Sequence, residues 1–182
     1  PNVPIPLEHL ESGSANDFRM RVLTQHPWNW PQNLINGVHI RVYYRAEDKA
    51  HPAGKFLSPA NGQALSTNAL IEIEANSPNG DIDRVDFIGL YTGINWEGEG
   101  IYRQWHYHFF HGVINHHIGS DKKAPFNTTW KTAWIPDQDE PIQIAARIKD
   151  ESGVIYFTEP VTGRALQRDS FSVELCIPNE VP

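Results

Sequence analysis

Apolar and polar residues alternate with a period of two in several short runs, and no long run repeats at the helical 3.6. In 70–75, "LIEIEA", Ile71, Ile73 and Ala75 share one face while Glu72 and Glu74 take the other. In 83–91, "DRVDFIGLY", the shared face holds Val85, Phe87 and Tyr91. In 142–149, "IQIAARIK", Ile142, Ile144, Ala146 and Ile148 point one way, and in 170–177, "SFSVELCI", Phe171, Val173, Leu175 and Ile177 do the same. Each run predicts a half-buried strand. Two further runs, 18–22 "FRMRV" and 38–45 "VHIRVYYR", flank a loop rich in Trp, Pro and Asn. Two strands cannot bury themselves, so these are expected to pair and pack on the rest, or to end a preceding domain. Turn clusters such as "SPNGD" and "DESG" separate the runs. Pro59 is expected to end the first strand, because it cannot donate to a ladder. Asn79-Gly80 is expected to supply the positive φ of a tight hairpin. Trp130 is expected in the core. The pattern predicts an all-β, antiparallel sandwich.

Composition narrows the function. The 182 residues are 40% hydrophobic, enough for a sizeable core. The net charge of −7 argues against a nucleic-acid partner. No apolar run is long enough for membrane insertion, and no signal peptide is present. The chain starts at Pro1 and its one methionine is Met20, as in a processed chain or a fragment, so the missing signal says nothing about export. Cys176 is the sole cysteine, which excludes an internal disulfide and a CxxC zinc site, and it is expected to be a small half-buried side chain.

Ser58, Pro59 and Gly62, then Ala75, Gly80, Ile82, Val85 and Phe87, then Ala124, Pro125, Phe126 and Trp130, then Ala146, Asp150 and Gly153 occur in an informative order. Together they resemble the bacterial Ig-like domains of secreted multidomain proteins, over about residues 54 to 160. The resemblance implies an Ig-like sandwich over 54–182 and an extracellular, cell-surface or periplasmic location. It also implies a non-catalytic accessory role, binding polysaccharide or positioning a neighbouring catalytic domain. Residues 1–53 lie outside it, as a β-strand extension or the remnant of a preceding domain. The chain departs from the family at 92–119, a 28-residue insert where a short hairpin is usual. This insert is expected to form a long projecting hairpin.

The insert carries the candidate chemistry. On a strand, His106 and His108 share a face, and with His111 they are candidate ligands for a transition metal. Asn95, Glu97 and Glu99 alternate around glycines as calcium ligands do, although Glu replaces the usual Asp. Trp96, Tyr102, Trp105 and Tyr107, with His106 and His108, offer aromatic faces and polar tips suited to a sugar ring. One aromatic row is expected to cover the sandwich core. Arg19, Arg21, Arg41 and Arg45 form a basic face, expected to pair with Asp17, Glu47 or other surface acids. No nucleophile elbow, phosphate loop or HExxH helix is present, and no catalytic residue is assigned. No cofactor is expected unless the acidic turn holds calcium. The alternatives are a metal-dependent enzyme built on His106 and His108 and a purely structural protein-interaction module.

Overall fold

The computed structural model describes residues 4–19, 40–94, 100–110 and 113–164, with the side chain of Phe110 left out. The expected strand at 170–177, residues 20–22 of the run at 18–22, and the Trp-rich loop after it lie outside the described residues. The chain divides into two compact units, Pro1–Val38 and His39–Pro182. In the first, a 3-10 turn at Leu7–His9 precedes a loop closed by Asn16. The Asn16 side chain accepts from the Glu11 N–H at 2.8 Å and donates to the Glu11 carbonyl at 3.1 Å.

The second unit is a sandwich of two sheets. The smaller holds β1 (Ala53–Ser58), β3 (Asn68–Asn76) and β9 (Phe126–Lys131), with β3 in the middle. The larger runs β2 (Gln63–Ala64), β12 (Val161–Arg164), β10 (Ile142–Asp150), β4 (Ile82–Ile94) and β5 (Ile101–Trp105). Two short strands join this sheet: β8 (Gly119–Asp121) on β4 and β11 (Ile155–Phe157) on β10. A separate hairpin, β6 (His108–Phe110) with β7 (Val113–Asn115), comes from the insert. The β2–β12 pair is parallel and every other pair is antiparallel. The chain passes from one sheet to the other between β3 and β4 and between β9 and β10, which makes the sandwich Ig-like.

The inner rows read from the alternation meet in the core. Ile71 and Ile73 of β3 and Phe126 and Trp130 of β9 face Val85, Phe87 and Tyr91 of β4 and Ile142, Ile144, Ala146 and Ile148 of β10. The central pair is in register through Phe87 opposite Ala146. Among the described residues no helix is long and apolar enough to cross a membrane.

Three expectations need correction. First, Asn79-Gly80 closes no hairpin: β3 and β4 lie in different sheets, so the turn crosses between them. Gly80 takes φ 129°. Asn79 instead donates to the Asp150 carboxylate at 3.1 Å, beside Ser77 at 2.8 Å. Burial pushes the Asp150 carboxyl up, but hydrogen bonds from Ser152, Ser77, Asn79 and the Val154 N–H outweigh it and hold its pKa at about 2. Asp150 thus ties this crossing to the turn after β10. Second, residues 40–45 are not a strand. Ile40, Val42 and Tyr44 are exposed, because no strand edge pairs with them, and Phe18 and Arg19 are also outside any strand. Third, the insert hairpin does not project. It packs back on its own sheet, for a reason found in the outer face of β4.

A groove at the open edge of the sandwich

The inner face of β4 ends in the series Gly89, Tyr91, Gly93. A Cβ on Gly93 would lie 2.8 Å from the Tyr91 ring and 3.0 Å from the His106 ring, and one on Gly89 would lie 3.1 Å from Tyr91. Glycine on both sides therefore lets the Tyr91 ring lie along its own strand. Burial pushes the Tyr91 hydroxyl well above its ordinary pKa. His106 continues the β4–β5 pairing, its N–H donating to the Gly89 carbonyl at 2.9 Å. Its ring stacks on Tyr91 at 3.8 Å, and Nε2 donates to the Tyr91 carbonyl at 2.8 Å. A carbonyl only accepts, so Nε2 carries the proton. Burial lowers the His106 pKa, and the hydrogen bond to Tyr91 raises it less.

The outer face of β4 and β10 presents Ile88 and Ala145. Ile114 of β7 buries itself against them, with Trp105, Tyr107 and Phe109 packed around. This apolar patch is what folds the hairpin down. The aromatic row covers the outside of the sheet, in a second and smaller cluster, rather than the sandwich core. Beside it, Asp86 is wholly buried. Its carboxylate accepts from Arg84 Nε at 2.5 Å, Arg147 at 2.7 Å and the Ser120 hydroxyl at 2.5 Å. Ser120 accepts in turn from Arg84 at 2.8 Å, and its Oγ lies 2.7 Å from His117 Nε2. The serine proton is committed to Asp86, so His117 donates, the reverse of what a general base for Ser120 would do. Burial lowers the His117 pKa; Asp86 raises it, and Arg84 and His116 lower it further. Phe109 lies under two guanidinium groups, Arg41 at 4.1 Å and Arg147 at 5.3 Å.

A groove of about 370 Å³ opens between the end of this insert and β9. Its floor is Tyr91, Trp130 and Ile118. One wall is Trp134, 40% exposed and set edge-on to Tyr91 at 6.3 Å. The rim is His116, His117, Thr129 and Lys131. His116 has φ 51°, the only positive φ outside glycine among the described residues, and its ring lies 4.5 Å from His108. The loop bearing Trp134 is pinned on both sides. The Thr132 hydroxyl donates to the Ser66 carbonyl at 2.9 Å, and Ile135 is fully buried. Gln138 accepts from the Thr92 N–H at 2.7 Å and donates to the Thr92 carbonyl at 2.8 Å. Its amide thus supplies the backbone partner that β10, starting at Ile142, does not reach. A second hollow, about 420 Å³, lies within residues 5–19 of the first unit. Ile5, Leu10 and Phe18, which line it, are themselves exposed, so it has no buried floor.

The groove gathers few of the residues singled out in the sequence. Trp96, Asn95, Glu97, Glu99 and His111 lie outside the described residues. The strand that would place His106 and His108 on one face breaks after Trp105 and resumes at His108. His106 turns inward onto Tyr91, whereas His108 sits beside His116. Among the described residues, no three His, Cys, Asp or Glu side chains are grouped as a metal site requires. Trp105 and Tyr107 pack in the outer cluster, and Tyr102 is 48% exposed on β5. Arg41 lies over Phe109 rather than against an acid, and Arg21 lies outside the described residues. The residue missed was Trp134. Its signal was a second tryptophan four positions after Trp130, just past the strand end, where the side chain escapes the core.

No protein-family model matches the chain, and no curated protein matches it. Among solved structures it is similar to one described as fibronectin(III)-like modules of Clostridium thermocellum CbhA, at 20% identity and a TM-score of 0.39. The likeness covers 63% of this chain and 45% of that one, so the chain spans less than half the length of the structure it matches. The Ig-like fold rests on the strand pairing given above.

Proposed function

We propose that the chain is a non-catalytic Ig-like module of a secreted or surface protein and that it binds carbohydrate in the groove beside Trp134. One observation carries this reading: a half-exposed indole, braced edge-on by buried Tyr91, stands over an apolar floor with a polar rim. A pyranose ring has apolar C–H faces and an equatorial belt of hydroxyls. Such a ring can lie on the indole while His117, Thr129 and Lys131 meet its hydroxyls. The wall is already ordered by Thr132, Ile135 and Gln138, so little freedom is lost on binding.

The test is calorimetric titration with a panel of oligosaccharides, using the wild type and Trp134→Ala. Trp134 is 40% exposed and is not itself one of the buried core residues, although its edge meets Tyr91. Trp134→Ala is expected to weaken binding about tenfold or more, with the melting temperature nearly unchanged. An equal affinity in the variant, or turnover of a bound glycan, would sink the reading.

A further inference from the structure

We propose that the groove is selective for an anionic saccharide, one bearing a carboxylate or sulfate, with Lys131 as its counter-charge. This rests on the carbohydrate reading above. The groove's sign of charge is the opposite of the molecule's. The whole chain carries −7, yet among the described residues no Asp or Glu lines the groove, and its rim holds Lys131. Lys131 is exposed at the end of β9, opposite Asn68 of β3. Like Lys55, Lys122 and Lys123, it forms no ion pair among the described residues. Among the described residues, no carboxylate pairs with its ammonium.

Two acids, on β4 and β8, are already engaged. Asp86, behind His117, is saturated by Arg84, Arg147 and Ser120. Asp121, at the end of β8, accepts the N–H groups of Lys122, Lys123 and Asn127. An anionic chain meets a molecule of net negative charge and is admitted beside Trp134, where a stacking face and a lysine ammonium lie in one groove. A lysine ammonium is a point charge on a flexible stem, so it accepts carboxylate and sulfate alike.

The experiment measures affinities for three probes: oligogalacturonate, a heparin-derived sulfated oligosaccharide, and neutral cello- and xylo-oligosaccharides. Wild type, Lys131→Gln, Lys131→Arg and Trp134→Ala are compared at low and moderate salt. One or both anionic probes are expected to bind in preference to the neutral ones, and more weakly as salt rises. The acidic probes identify which anion is taken. Lys131→Gln is expected to cost about two- to fivefold for the anionic probe alone. Lys131→Arg is expected to retain the preference, and Trp134→Ala to lose affinity for every probe. If neutral chains bind as well as acidic ones and Lys131→Gln changes nothing, the charge selectivity is wrong while the groove reading stands. If no probe binds, or Trp134→Ala has no effect, the carbohydrate reading itself is wrong.

Discussion

His106 shows how burial sets the sign of a pH effect. Its pKa in the folded chain is depressed by burial below the ordinary 6.5. Above pH 6.5 both folded and unfolded states hold it neutral, and its contribution to stability is whole. As the pH falls below 6.5, the unfolded chain takes up a proton that the folded chain refuses. Stability then drops by at most about 1.4 kcal/mol per pH unit, until the folded pKa is passed. His117 acts in the same direction. Urea midpoints between pH 8 and pH 5 are expected to fall less steeply in His106→Gln than in the wild type; parallel profiles would contradict the assignment. Gln138 is the other telling residue, only 1% exposed and bonded to both backbone groups of Thr92. Gln138→Ala strands that N–H and carbonyl without partners and is expected to cost about 2–3 kcal/mol in urea unfolding. Neither role was legible beforehand. His106 reads as one of a surface cluster until Gly93 is seen to make room for it. A glutamine in a loop gives no sign that it completes a strand pair.

At the scale of elements, the inner rows of β3, β4 and β10 were legible, because alternation records which face a strand buries. The same alternation misled over 40–45, the described part of its run. A period of two says what a strand would bury, but not whether an edge is free to pair with it. The fold-back of β6 and β7 was hidden for a related reason: it depends on Ile88 and Ala145, which come from different strands. Under that hairpin Asp86 joins β4, β8 and β10 through Arg84, Ser120 and Arg147. Asp86→Ala would leave two partly buried guanidinium groups facing each other without a counter-ion. Partial exposure of the arginines softens the penalty, and the variant is expected to lose about 2–4 kcal/mol by chemical denaturation. Ser120 and His117 lose their anchor with it. A stability within 0.5 kcal/mol of wild type would show that the network is idle.

For the second unit as a whole, the Ig-like arrangement follows from which strands pair, and the motif at Asp150 and Gly153 now has a physical cause in the tie between two turns. The groove was not legible at this scale, since it lies between segments far apart in sequence and depends on how the two sheets meet. The insert has one further property. His106 N–H donates to the Gly89 carbonyl of β4 where the chain leaves β5, and Ile118 N–H donates to the Phe87 carbonyl of β4 where it returns before β8, both at 2.9 Å. Departure and return are two residues apart on one strand and are fixed by main-chain bonds. The segment between them is therefore closed by bonds that do not depend on its side chains. A substitute of twice the length would cost only about 0.6 kcal/mol more in closure entropy, provided it brings an apolar patch for Ile88 and Ala145. A change in that flank would alter the rim formed by His116 and His117 while leaving the two main-chain bonds that close it in place.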